Sequence, residues 1–349
     1  MAYKKTWEKK EERDYQQELT DKFIARLKEA EDCLDKGLKW EKPFFSCSEL
    51  PRNALSGEKY KGSNIMSLMS AEYPDPRWLT FNQMKEMSKG LEEPLKLIKG
   101  SKAEFIMKVV PSYEKNADGT VKKDSNDMPV AVLNDDGSKK IGYKYYAVFN
   151  ASCVEGIEPY IKKTQEIKPF ETIEILSKAL QEKTDLKVEH SSRSAAFYSS
   201  SKHMVHMPSP EYFKSASTYS DTLLHEFGHS TGPALGRKMG NGFGTPDYAK
   251  EELIAELTSS FMSIELGIPH NPSSHENHVA YLKSWIGALE NDKTLISKAS
   301  NQASKATEYQ IGHFNTYQVE QTQRVDLAKE LTEKLLGSQR VANKQAMTI

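Results

Sequence analysis

Cysteine is scarce, with only Cys33, Cys47 and Cys153 in 349 residues. The number is odd and no C-x-x-C spacing occurs, which argues against a disulfide framework and against a cysteine-built zinc site. No run of about 18 apolar residues occurs, and the charged stretch from Met1 to Arg13 has no apolar core. Neither a membrane span nor a secretory leader is expected, and the chain reads as cytoplasmic. Net charge is nearly absent: 48 Lys+Arg stand against 49 Asp+Glu, a balance of -1. No global basic excess announces a nucleic-acid binder, so any such surface has to be local. No internal repeat is evident. What remains is a composition of 38% hydrophobic and 28% charged residues, ordinary for a globular chain and long enough for two domains.

The stretch Ser220–Gly232 carries the densest chemistry. It contains His225-Glu226-x-x-His229, the H-E-x-x-H pattern. Helical residues four apart lie on one face, so His225 and His229 can present two imidazoles to one metal ion. Glu226 beside the first ligand can take a proton from water at that metal. Leu223, Leu224 and Phe227 supply an apolar face, and Gly232 is a helix stop. Five-residue patterns also arise by chance, but here a second acidic helix follows, Tyr248–Leu257. It can deliver a third, carboxylate ligand to a zinc ion. Glu251, Glu252 and Glu256 compete for that role. Adjacent helical residues diverge by about 100°, so Glu251 and Glu252 cannot point at one spot. Glu252 and Glu256 share a face, so one can bind metal while the other hydrogen-bonds a ligating histidine. Glu251 reads as an ordinary surface charge.

Taken in order, residues 1–13 are polar. A helix follows through Leu19, Phe23, Leu27 and Ala30, ended by Gly37. Trp40, Phe44 and Phe45 then cluster around Pro43. Ser63 or Asn64 is expected to cap a short helix through Met69, and Thr80 a second one through Met87. Ala103–Val110 and Tyr143–Phe149 read as strands joined by a long polar excursion, 114–140, with Asp118-Gly119 and Asp136-Gly137 as turn signals. Glu171–Lys183 is an amphipathic helix. Ser194–Tyr198 and His203–Met207 are expected strands, the second a sheet edge able to pair with an extended peptide. A glycine-rich loop with Gly236, Gly240, Gly242 and Gly244 separates the two metal-site helices. Further helices are expected over 275–289, 291–307 and 316–336. The fold class is α+β, and four segments follow: 1–155 as a small mixed α/β domain, 156–170 as a linker, 171–315 as a mainly helical domain with a small sheet, and 316–349 as a helix and tail.

Single-stranded nucleic acid is held by aromatic platforms plus cations that track the backbone. Candidates are Tyr60, Lys61, Arg77, Trp78, Lys99, Lys102, Tyr143, Lys144 and Tyr145. By composition alone, such aromatics are more often core and such lysines more often a solvated face.

Several ordered blocks resemble the antirestriction ArdC type found on conjugative plasmids and other mobile elements. They are Tyr60–Asn64, Arg77–Gln83, Lys99-Gly100, Ser194–Tyr198, His206–Pro208, the H-E-x-x-H helix, Phe243-Gly244, Tyr248–Leu257 and Tyr281–Trp285, and the resemblance spans residues 15–310. It implies an N-terminal single-stranded DNA-binding domain, a C-terminal zincin-like metallopeptidase domain, and protection of incoming DNA from host restriction. The acidic helix also resembles thermolysin-like zincins, in which the first of two acids four apart is the ligand. That implies Glu252 as third ligand and Glu256 as its supporting acid. Two departures stand out: the 114–140 excursion is longer than the family's hairpin, and Lys202-His203 replaces an acidic turn.

The expected activity is peptide hydrolysis at zinc held by His225, His229 and Glu252, with Glu226 as general base, acting on a protein substrate bound to DNA. Tyr198, Tyr248 and Tyr281 are candidate oxyanion partners, each also explicable as a packed tyrosine. The rival is a non-enzymatic DNA-binding protector in which zinc is only structural. A nuclease is a weaker third reading, because one such motif supplies one metal and phosphodiester cleavage often uses a pair.

Overall fold

The structure, a computed structural model, describes residues 14–36, 49–162, 168–192, 195–238, 245–269 and 278–346. The expectations for 1–13, Trp40, Phe44, Phe45, Gly240, Gly242 and Gly244 lie outside these. The architecture is α+β, in two units that each draw on two stretches of chain: residues 1–165 with 276–302, and 166–275 with 303–349.

The first unit begins with α1 (Tyr15–Asp35). Its central sheet has strand order β1-β2-β5-β4, made of β1 (Arg52–Asn53), β2 (Arg77–Leu79), β4 (Glu104–Pro111) and β5 (Ile141–Asn150). β1 runs parallel to β2, and the other pairings are antiparallel. A smaller pair joins β3 (Lys96–Leu97) to β6 (Val154–Glu155). α2 (Ser63–Met69) closes the free edge of β4. The Asn64 side chain donates to Met107 O at 2.9 Å and accepts from Met107 N–H at 2.7 Å, as a neighbouring strand would. Contrary to expectation, neither Ser63 nor Asn64 caps α2. Gly62 is the N-cap, at φ 58°, and a Cβ there would collide with Asn301. α3 (Phe81–Met87) starts at the expected Thr80, in a reciprocal capping box with Gln83. α7 (His278–Asn291) packs along α1.

The second unit holds α4 (Pro169–Thr184) and a three-stranded sheet of order β7-β9-β8: β7 (Lys187–Ser191), β8 (Phe197–Ser199) and β9 (Met204–Pro208). β9 is parallel to β7 and antiparallel to β8. It is therefore the middle strand, not the edge expected for peptide pairing. Both sides of its backbone are already occupied, and β8 is the edge on that side. α5 (Ala216–Ser230) and α6 (Pro246–Leu266) complete the unit with most of α8 (Leu295–Ala346). α8 is continuous where separate helices over 291–307 and 316–336 were expected. Gly312 within it costs only about 1 kcal/mol, while Phe314 and Ile311 beside it pack into the core of Leu223, Leu224, Phe227 and Met262.

Candidate functional site

α5 begins at Ser215, whose hydroxyl accepts from Thr218 N–H, and every residue from Tyr219 to Ser230 is buried. α6 begins at Thr245 with Pro246 in its first turn. The two helices touch at Gly228, where a Cβ would lie 3.0 Å from the Ala255 Cα. Glycine facing alanine lets the two backbones approach until their polar side chains meet between them.

They meet as a layered cluster. His225 Nε2 lies 3.4 Å from one Glu252 oxygen, and His229 Nε2 lies 3.6 Å from the other. One donor atom each from His225, His229 and Glu252 fits within a mutual separation of 4.8 Å. Tetrahedral ligands about 2.1 Å from zinc stand roughly 3.4 Å apart, so the donor set fits such an ion in chemistry and spacing. The outer ring nitrogens face further carboxylates. His225 Nδ1 lies 3.4 Å from Glu256, and His229 Nδ1 lies 3.2 Å from Glu251. Outer carboxylates of this kind fix the tautomer and orientation of a ligating imidazole.

Glu251 is therefore no ordinary surface charge. Arg237 grips it through Nε at 3.0 Å and Nη2 at 2.9 Å, and also donates to Gly228 O and Thr231 Oγ1. The Arg237 side chain is only 5% exposed. Nothing in the sequence around Gly236-Arg237 marked this arginine as part of the site.

The electrostatics follow from burial and pairing. Burial opposes charge on His225, but its bonds to Glu252 and Glu256 win and lift its pKa well above the ordinary value. Burial raises the pKa of Glu226, and the nearby Glu252 adds to this against the opposing pull of both histidines. The Tyr198 backbone N–H donates to the Glu226 carboxylate, tying it to edge strand β8. Burial also acts on Glu252 and Glu251, yet histidine contacts, and Arg237 at Glu251, hold both below the usual carboxylate value.

Among the oxyanion candidates, the Tyr198 hydroxyl bonds His203 Nδ1 at 2.8 Å, while His203 Nε2 sits 3.1 Å from Thr184 O. The Lys202-His203 turn is thus a strut for Tyr198. Tyr248 hydrogen-bonds the Glu252 carboxylate. The Tyr281 side chain lies outside the described residues.

Two of the DNA candidates belong elsewhere. Trp78 is 1% exposed and sits among Leu68 and Val148, edge-on to Tyr73 at 5.4 Å. No ring face is open to a base, so its role is core packing. The Arg77 guanidinium is committed to Asp75 at 3.0 and 2.8 Å and to Glu158 O at 2.7 Å. Tyr60 is half-buried and accepts from Asn53. Lys61, Lys99, Lys102, Tyr143 and Lys144 are exposed, and Tyr145 stacks on Tyr15 at 4.2 Å.

Comparison with known proteins adds to this geometry. Residues 13–149 match the N-terminal domain of anti-restriction factor ArdC, and residues 176–302 match a zincin-like metallopeptidase domain. Two proteins of Escherichia coli, each named DNA primase TraC, are 33% and 31% identical over 81% of this chain. The chain spans only 26% and 19% of their lengths. An uncharacterized protein of Sinorhizobium fredii, y4eC, is 25% identical over 85% of this chain and 91% of its own. The metal-free crystal structure of the antirestriction ArdC protein from plasmid R388 matches with a TM-score of 0.62 and 27% identity, covering 87% of this chain and 99% of that one. Its Mn(II)-bound form matches at 0.61 and 28%, covering 86% and 98%. No helix among the described residues is long and apolar enough to cross a membrane. With an ArdC N-terminal domain followed by a zincin-like metallopeptidase domain, the chain belongs to the ArdC-type antirestriction family.

Proposed function

We propose that the chain is a DNA-associated zinc metallopeptidase that protects incoming DNA from host restriction. In this reading residues 1–155 bind single-stranded DNA, 156–170 link, 171–315 carry the peptidase site, and 316–349 form a C-terminal helix and tail. The observation that carries the catalytic part is Glu226. A structural metal site needs ligands only, whereas here a buried carboxylate with a raised pKa stands beside the ligand cluster without belonging to it. His225, His229 and Glu252 would hold the ion, and Glu251 and Glu256 face the outer nitrogens of the two imidazoles. A zinc ion in such a site polarises a carbonyl and makes water nucleophilic near neutral pH. Glu226 accepts the proton of the attacking water and returns it to the leaving amine. Burial makes it a stronger base than an exposed glutamate, and the Tyr198 N–H holds its carboxylate in place. The DNA part is supported by the family and by the R388 relative, named an antirestriction protein.

Glu226→Gln tests the assignment. The amide keeps the size of the acid but cannot take a proton. Metal content should stay at the parental level while cleavage of a protein substrate, assayed with and without single-stranded DNA, falls by about 10²–10⁴-fold. Equal cleavage by parent and variant removes Glu226 from catalysis. A metal-loaded parent that shields DNA from nuclease without cutting protein favours the non-enzymatic protector instead.

A further inference from the structure

The excursion between β4 and β5 is a preformed three-armed β-structure. Each turn is closed by its own aspartate: Asp118 accepts from Thr120 N–H, Asp124 from Asn126 and Met128 N–H, and Asp136 from Ser138 N–H. Bridges Tyr113↔Ala131, Lys115↔Val121, Lys123↔Pro129 and Leu133↔Lys139 tie the arms together. Residues directly opposite share a face, and the chain returns to that face every second residue. The pairings Val109↔Tyr143 and Pro111↔Ile141 continue into Tyr113↔Ala131. One face therefore gathers Val109, Tyr113, Val121, Leu133, Ile141 and Tyr143. All six are open to solvent, from 37% for Tyr113 to 58% for Leu133. A contiguous apolar surface of this kind marks a site of interaction, whereas isolated exposed apolar residues do not.

Charge is sorted on the same element. Along the stem, residues 108–115 and 139–144, the same register puts Lys115 and Lys139 on this face and Lys108, Lys140 and Lys144 on the opposite one; all five are exposed and have no ion-pair partner among the described residues. The only stem carboxylate, Glu114, is neutralised by Lys122 at 2.6 Å. The five aspartates stand in the turns.

We propose that this face is a platform for single-stranded DNA, with bases lying on Tyr113 and Tyr143 and Lys115 and Lys139 tracking the backbone. The proposal rests on the DNA reading above and moves the contact away from Trp78 and Arg77. An apolar strip bordered by uncompensated cations matches a polyanion whose flat bases can stack without sequence preference. A second copy of the chain is a poor match, because two-fold pairing would set lysines against lysines.

The test uses the full chain and a labelled oligo-dT of roughly 20 nucleotides, long enough for one site, read by fluorescence anisotropy across a salt series. Tyr113→Ala/Tyr143→Ala should weaken binding at least tenfold, with an unchanged melting temperature because both rings are exposed. Tyr113→Phe/Tyr143→Phe should restore it. Lys115→Gln/Lys139→Gln should flatten the slope of log K against log salt by about 1.4, near 0.7 for each lost contact. If the parent binds and all three variants bind like it, the platform is wrong and the DNA reading stands. A parent that leaves the oligonucleotide free overturns both and assigns the face to a protein partner.

Discussion

A metal-bound imidazole has two working nitrogens on opposite sides of its ring, so its two partners must arrive from different directions. At His229 the inner partner is Glu252 and the outer one Glu251, its neighbour on α6. The offset of about 100° between adjacent helical residues is what lets both reach one ring. At His225 the outer partner is Glu256, one turn on from Glu252. Removing Glu252 should abolish tight metal binding, since two histidines alone hold zinc poorly. Glu251→Ala and Glu256→Ala should each weaken it by about 10–100-fold. They should differ in stability. Only Glu251→Ala strands the buried Arg237, which costs about 3 kcal/mol. Competition against a chelator and melting of the metal-free variants measure the two effects separately. Parental affinity in Glu251→Ala would remove it from the site. The motif His225-Glu226-x-x-His229 was legible because its spacing is local. Glu251 was not, because its partner Arg237 arrives from a loop fourteen residues away. Trp78 misled for the opposite reason, since a tryptophan between Arg77 and Leu79 looks the same in sequence whether it faces base or core.

At the scale of elements, a local cap signal held at Thr80 but not at Ser63 or Asn64, where Gly62 starts α2. Thr80 announced α3, and the structure adds Gln83 as its reciprocal capping partner. Signals that depend on neighbours did not hold: β9 was expected as an edge strand, but its central position is set by β7 and β8. The contact that positions the site is similarly non-local. Gly228→Ala should cost about 1–3 kcal/mol by overpacking, because the new methyl meets Ala255 backbone and Thr258 Cβ. Urea melts of the metal-free protein test this, and an unchanged midpoint would mean the helices can separate at no cost. Another device sits between α7 and α8. Asp292 accepts from Thr294 N–H at 2.8 Å and pairs with Lys298 at 3.0 Å. The Thr294 hydroxyl leads in drawing its pKa down to about 2. A depressed carboxylate stabilises the folded state above its unfolded pKa near 3.9, and the contribution disappears as pH falls through about 2. Asp292→Asn should therefore lower stability at pH 7 by about 1 kcal/mol after solvent screening. Parent and variant melts should converge toward pH 2, and a gap independent of pH would rule out the charge as the cause.

At the scale of the molecule, chain order and packing order differ. Amphipathic spacing says that a helix has an apolar face, not what covers it. The face of α1 carrying Phe23, Leu27 and Ala30 is buried in a unit that includes 276–302, and α7 contributes Leu282, Trp285 and Leu289, all buried. The side chain of Thr20 reaches Lys293 O at 2.7 Å, and Lys28 pairs with Glu290 at 2.7 Å. A fragment ending at residue 165 contains α1 but not its cover. Exposing several large apolar side chains, each worth about 1.5–3 kcal/mol when buried, removes on the order of 5 kcal/mol. Whole domains rest on about 5–15 kcal/mol, so this loss is enough to blunt folding. The fragment 1–165 should melt at lower temperature and less cooperatively than the same unit in the full chain. Adding a peptide of residues 276–302 should raise its melting temperature with the logarithm of peptide concentration above the Kd, as binding to the folded form requires. Replacing Trp285 by Ala in that peptide should cancel the effect. If 1–165 melts sharply without the peptide and ignores its addition, α1 is stable uncovered and α7 only rests against it. DNA binding measured on 1–165 alone then reports the unit faithfully; otherwise a weak signal from that fragment reflects a missing helix and not a missing DNA surface.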